Sequence, residues 1–261
     1  MARYDIVNVV RACLLLIALV AASPGTTPVA AAGPPDSNAG AATTERVLFI
    51  GNSHTRRHGG IDWLVGNFVA SEATPGAFES DVLAEGGVTL AYHWQAGAPD
   101  RIRAGSYDAV VLQGWLPGAN TETVEPFLEY TRRFDEVIRS TGARTVLFMT
   151  WPSEHDDWST LDDAVAAHRQ LESELGATVA PAAVAFARAR AERPELELID
   201  PDGIHATWEG AYLAAATVYA TLFERDPEDL DYDFGVEPGT AAFLRRIAWE
   251  TLQEWRAAAD D

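Results

Sequence analysis

Apolar residues along this chain fall into two alternating patterns. Short, nearly unbroken runs occur at RVLFI (46–50), YDAVVLQ (107–113), RTVLFMT (144–150) and ELELID (195–200), with a weaker one at FESDVLAEG (78–86). Several lack clean apolar–polar alternation, as expected of strands covered on both faces. Between them, apolar positions recur at spacings of three and four. In 122–139 these are Val124, Phe127, Leu128, Thr131, Phe134 and Ile138. In 207–223 they are Ala211, Ala214, Val218 and Leu222, with Thr207 placed to cap the start. Residues 241–255 form a last helical pattern. This is the face periodicity of amphipathic helices. Strands alternating with helices predict an α/β fold, a mostly parallel sheet with helices on both sides. In such sheets, sites lie at the carboxyl ends of strands.

The N-terminus follows neither pattern. Arg3 and Arg11 flank the start of an apolar run, ACLLLIALVAA (12–22), and small residues follow at 20–22 and again at 30–32. The run is short for a membrane span and suits the core of a signal peptide, with cleavage after about residue 22 or 32. Cys13, the single cysteine, stands at the start of that run and not after it, which does not fit a lipoprotein cleavage site. Residues 33–44 are rich in small residues and proline and are expected to be a disordered linker. The folded domain is expected over 45–261. An exported protein with no stable membrane insertion after removal of its leader is the expectation.

Charge narrows the partners. There are 39 acidic residues against 19 basic ones, all arginine, for a net charge of −20. Such a surface repels nucleic acid and anionic lipid headgroups. Without lysine, Schiff-base chemistry is excluded. Without cysteine beyond residue 13, so are disulfides, thiolate catalysis and cysteine-ligated metal in the domain.

Candidate chemistry sits where the first run ends. RVLFI leads into Gly51-Asn52-Ser53-His54-Thr55, a sharp turn presenting a serine at a strand end. A serine hydroxyl is a weak nucleophile unless a base takes its proton, and that base is usually a histidine held by a carboxylate. The stretch 199–215 offers both. Asp202 and His205 stand three apart in a Pro-Asp-Gly turn between a strand-like run and a helix. Asp202 could receive the Nδ1 proton of His205 while Nε2 faces Ser53. Each feature alone has a plain structural reading, a helix cap or a turn; their combination and order point to catalysis.

These residues resemble the SGNH (GDSL-type) hydrolases. FIGNSHT is similar to that family's first block, with Asn52 where Asp is usual, and DGIH is similar to its last, Asp-x-x-His. AEGGVTL (84–90) resembles the second block, whose glycine donates a backbone N–H to the oxyanion; that role falls on Gly87. The third block is usually Gly-x-Asn-Asp. Here VVLQGW (110–115) is similar to Gln-Gly variants found in carbohydrate-esterase branches, which puts Gln113 in the donor's place. The resemblance implies a flavodoxin-like three-layer α/β/α sandwich on a five-stranded sheet. It also implies a secreted serine esterase that needs no cofactor. Its triad would be Ser53, His205 and Asp202, and its oxyanion hole the N–H groups of Ser53 and Gly87 with the Gln113 amide. The expected substrate is a small-molecule or glycan ester with a short acyl group, such as O-acetyl on carbohydrate. A non-catalytic glycan- or surface-binding module and an acyltransferase share the same resemblance.

Other side chains are candidates for substrate contact. Asn52, His54 and Trp115 flank the serine and the Gln-Gly pair. Trp151, His155 and Trp158, in TWPSEHDDW (150–158), follow a strand end, where aromatic faces could line a cleft for sugars or simply pack. His54, His58, His93 and His155 could in principle gather on a metal, but nothing else in the sequence supports one. The acidic stretch 226–235 has the glycine one place late for a calcium loop and reads as solvated loop. Oligomeric state is left open.

Overall fold

The computed structural model describes residues 44–73, 75–114, 124–155 and 160–259. The expected leader, nearly all of the linker, Trp115 and Trp158 lie outside these residues. Among the described residues, five strands form one sheet: β1 (Glu45–Gly51), β2 (Phe78–Ala84), β3 (Ala109–Leu112), β4 (Arg144–Phe148) and β5 (Thr178–Ala180). Their order is β2-β1-β3-β4-β5, and every pairing is parallel. Helices connect them: α1 (Ser53–Arg56), α2 (Ile61–Ala70), α3 (Leu90–Gln95), α4 (Ala98–Ala104), α5 (Val124–Ser140), α6 (Leu161–Leu175), α7 (Ala182–Glu192), α8 (Trp208–Phe223) and α9 (Pro238–Ala257).

The sheet is the core. Val47, Leu48, Phe49 and Ile50 of β1 are fully buried, as are Ala109 and Val110 of β3 and Val146 and Leu147 of β4. That is why these strands read as continuous apolar runs: helices cover both faces, so neither face needs polar residues. α8 is buried along almost its whole length, from Gly210 to Leu222, and Thr207 caps it by accepting the Gly210 N–H. The chain leaves β1 toward β2 on one side and meets β3 on the other. The connection therefore reverses direction beside β1, opening a crevice at the carboxyl ends of β1 and β3. Ser53 and Gln113 follow those two ends.

One expected strand is not in the sheet. ELELID (195–200) contributes only an isolated antiparallel bridge, Ile199 with Ala206, and the fifth strand is the three-residue β5 instead. The backbone of 195–200 is committed locally. Leu198 C=O accepts the Thr207 N–H at 3.1 Å, Glu197 C=O accepts the Thr207 hydroxyl at 2.8 Å, and the Asp200 N–H donates to His205 C=O at 2.7 Å. The segment thus folds back on itself around the Asp202 turn and holds that turn in place.

α8 presses directly on this segment. A Cβ on Gly210 would collide with the Leu198 carbonyl oxygen, a backbone atom that cannot swing aside. Gly210→Ala should therefore push α8 away from the triad turn. Overpacking of this kind costs about 1–3 kcal/mol. Urea denaturation should show a lower midpoint, and an unchanged midpoint would contradict this packing.

Candidate active site

β1 runs straight into the turn that presents Ser53. Gly51 is its last residue, and a Cβ there would strike the Thr55 hydroxyl and come within 2.6 Å of Gln113 Oε1, so only glycine lets the turn close. Asn52 caps α1: its Oδ1 accepts the His54 N–H at 3.1 Å, and its Nδ2 donates to Val88 C=O at 3.3 Å. Ser53 opens α1, where the first N–H groups of a helix have no intrahelical acceptor.

The triad forms a continuous chain of contacts. Ser53 Oγ lies 2.9 Å from His205 Nε2, across 152 residues of sequence. His205 Nδ1 lies 2.7 Å from Asp202 Oδ2. Asp202 Oδ1 accepts the backbone N–H groups of Ile204 at 3.0 Å and His205 at 2.9 Å. Burial opposes ionisation of Asp202, yet these donors and the imidazole outweigh it and hold the carboxyl well below its ordinary range. A carboxylate that stays ionised fixes the Nδ1–H tautomer of His205, which leaves Nε2 as the acceptor facing Ser53. Arg57 approaches the same carboxylate at 3.5 Å and pairs with Asp200.

Gln113 braces the turn. Its Oε1 accepts the Asn52 N–H at 2.8 Å and the Thr55 hydroxyl at 3.0 Å. Because a backbone N–H can only donate, the atom facing Asn52 is the carbonyl oxygen. The amide nitrogen is thereby turned the other way, 3.4 Å from Gly114 C=O. Gly87 sits on the exposed loop after β2 at φ 72°, a conformation that favours glycine. An open cleft of about 380 Å³ is lined by Ser53, Arg56, Arg57, Gly86 and His205. Gly86, the neighbour of the predicted donor, is the glycine on its wall.

Three expected substrate contacts are instead parts of the interior. Asn52 is 2% exposed and spends its side chain on capping. Trp151 is 3% exposed, stacks on Phe186 at 3.9 Å and donates its indole N–H to Ile204 C=O at 2.9 Å. His54 is 5% exposed and lies between Trp151 and the His205 ring, stacked on the latter at 5.5 Å. The strand end bearing Trp151 turns inward, and the indole braces the segment carrying His205 through Ile204 and His54. His155 alone of the described candidates is exposed; its ring lies against Gly203 in the triad turn. The other histidines are tied to carbonyls, His58 to Ala206 at 2.8 Å and His93 to Gly51 at 2.7 Å. Among the described residues, no group of three or more His, Cys, Asp or Glu side chains is placed to hold a metal.

Sequence reasoning missed Arg56 and Arg57. The signal for Arg56 was available: it stands three residues after Ser53, and residues three apart share one helix face.

Solved structures share this architecture. A protein from Slackia heliotrinireducens, provisionally assigned as an SGNH hydrolase, is 24% identical, with a TM-score of 0.59 over 69% of this chain and 100% of its own. A DUF4886 family protein from Bacteroides uniformis is 16% identical, with a TM-score of 0.63 over 81% of this chain and 95% of its own. The fold is that of the SGNH hydrolases. A Geobacillus acetyl-xylooligosaccharide esterase, in a variant form, is also similar: 14% identity and a TM-score of 0.58 over 69% of this chain and 94% of its own. No family model and no curated protein matches the chain.

Burial of two histidines makes stability depend on pH. His54 is lowered to about 3, chiefly by burial and then by the neighbouring His205. His168, in α6, is lowered to about 4 by burial, against the pull of its hydrogen bond to Ala164 C=O. Both are neutral in the fold, whereas the unfolded chain protonates them below about 6.5. Below that pH the unfolded state binds more protons, so stability falls as the medium is acidified. Each group contributes at most about 1.4 kcal/mol per pH unit between its two values. His54→Phe keeps a ring in place and removes one such group. Urea unfolding at pH 7.5, 6 and 5 should show a shallower acid loss in the variant, and parallel curves would refute the assignment to His54.

Proposed function

We propose that this chain is a serine esterase working by two-step acyl transfer. The reading is carried by one observation: hydroxyl, imidazole and carboxylate stand in line at 2.9 and 2.7 Å, at the carboxyl end of a central strand. Ser53 attacks the ester carbonyl while His205 Nε2 accepts its proton. His205 then returns that proton to the leaving alcohol. A water, deprotonated by the same nitrogen, releases the acid, and the proton goes back to Ser53. Asp202 orients His205 and stabilises the imidazolium. The N–H groups of Ser53 and Gly87 hold the oxyanion, and Gln113, its amide nitrogen turned onto Gly114 C=O, serves by bracing the Asn52 turn instead of donating; a single oxyanion donor is worth about 2.7–4 kcal/mol of barrier.

The substrate in this reading is a short acyl ester, with O-acetyl on carbohydrate foremost. Its supports are the Gln-Gly pair at 113–114 and the fold shared with an acetyl-xylooligosaccharide esterase. Trp151, being buried, does not add to them. The leader-like residues 1–32 support export, and among the described residues no helix is long and apolar enough to cross a membrane.

A fluorophosphonate tests the mechanism directly, because it phosphonylates only a serine activated by a base. Mass spectrometry should find the adduct on Ser53, and p-nitrophenyl acetate should be cleaved faster than its longer-chain homologues. An unlabelled Ser53 would turn the reading toward a binding module.

A further inference from the structure

We propose that the cleft selects esters carrying a negative charge close to the scissile bond, and that Arg56 reads that charge. The inference rests on the catalytic reading of Ser53 and deepens it to a substrate class.

Acids outnumber arginines about two to one in this chain, so an arginine has ample carboxylates to pair with. Among the described residues, all arginines but Arg56, Arg193 and Arg245 lie within 4.0 Å of a carboxylate. Two of these three are accounted for. Arg193 lies over the Phe243 ring at 4.0 Å, and Arg245 is buried against the Tyr212 hydroxyl at 2.8 Å. Arg56 is exposed and faces the catalytic cleft together with Ser53, Gly86 and His205.

Its placement is built. Arg56 stands one helical turn after Ser53, on the same face of α1. Its Nη1 donates to Ala84 C=O at 3.3 Å, which tethers the guanidinium at the end of β2, beside the Gly86 wall. One carbonyl uses a small part of a group with five N–H donors, and a guanidinium fork matches carboxylate or phosphate oxygens. Beside Arg56, Arg57 is held by Asp200 and Asp202, and Glu85 accepts the Tyr92 hydroxyl at 3.1 Å without coming within 4.0 Å of the Arg56 guanidinium. A chain of net charge −20 repels anions at long range, so a local cation at the nucleophile is what an anionic ester needs to dock. The chemistry fits the carboxylate of an acylated acidic sugar or of a dicarboxylic half-ester, and equally a phosphate.

Matched ester pairs test this with the full chain. p-Nitrophenyl hemisuccinate against p-nitrophenyl butyrate places the charge on the acyl side; 4-acetoxybenzoate against 4-acetoxybenzamide places it on the alcohol side. In at least one pair, the ratio of kcat/KM for the anionic to the neutral ester should exceed one and fall at least tenfold in Arg56→Gln. Arg56→Lys should restore part of it, and added salt should erode it. Ratios that are the same in wild type and Arg56→Gln for both pairs would overturn the proposal, as would an equal loss on neutral and charged esters, which would make Arg56 an aid to the oxyanion. Calorimetry on Ser53→Ala reads the contact without turnover. There 4-acetoxybenzoate should bind more tightly than its amide, and Arg56→Gln should abolish the difference. If no ester is cleaved and Ser53 takes no fluorophosphonate, the catalytic reading fails. The calorimetric preference still decides whether Arg56 binds an anion.

Discussion

Ser53→Ala is expected to abolish ester hydrolysis while leaving the fold intact. Removing the serine of a triad costs on the order of 10⁶ in kcat, because the acyl-enzyme can no longer form and only binding and oxyanion contacts remain. The hydroxyl's partner in the fold is His205, at 2.9 Å. The surrounding turn is held by other atoms: Asn52 caps it, and Gln113 accepts from Asn52 and Thr55. Thermal unfolding should therefore be nearly unchanged in the variant. Hydrolysis of p-nitrophenyl acetate that persists at the wild-type rate would mean that Ser53 is not the nucleophile.

Asp202→Asn should also be severely damaging, though less so and for a different reason. The replacement has nearly the same shape, and its Oδ1 can still accept the N–H groups of Ile204 and His205, so the turn survives. What changes is the atom facing His205 Nδ1. An amide NH₂ there donates instead of accepting, which drives the ring to the tautomer with its proton on Nε2. That nitrogen then cannot take the Ser53 proton, and a loss of about 10⁴ in kcat is expected. The proton on the imidazole nitrogens, followed by NMR in wild type and variant, reports the tautomer independently of rate. A variant that keeps both its Nδ1–H signal and its activity would remove Asp202 from the mechanism.

Much of this protein is legible in its sequence because the signals are local. Apolar runs without alternation identify β1, β3 and β4, since a strand buried on both faces needs no polar side. Spacings of three and four identify α5, α8 and α9. Gly-Asn-Ser-His after a strand, and Asp-x-x-His before a helix, mark the ends of elements where a parallel sheet places its chemistry.

What escaped the sequence depends on partners far along the chain. ELELID and the β5 segment TVA differ in the wrong direction locally: the first looks like a strand and the second does not. The sheet edge takes TVA because β4 offers it a register, while ELELID spends its carbonyls on Thr207 and bends the triad turn into place. Trp151 and His54 read as cleft residues because polar or aromatic side chains at strand ends often are. Only the packing of Phe186 beneath Trp151, and of His205 over His54, turns them inward. Legible without the fold are the alternating α/β order and the positions of Ser53, Asp202 and His205, which the fold brings within hydrogen-bond range. Packing sets which flanking side chains face solvent, how Gln113 points and that Arg56 meets the cleft without a carboxylate partner among the described residues. Backbone periodicity is written residue by residue, whereas burial and hydrogen-bond partnership are properties of surfaces that exist only once the chain has folded.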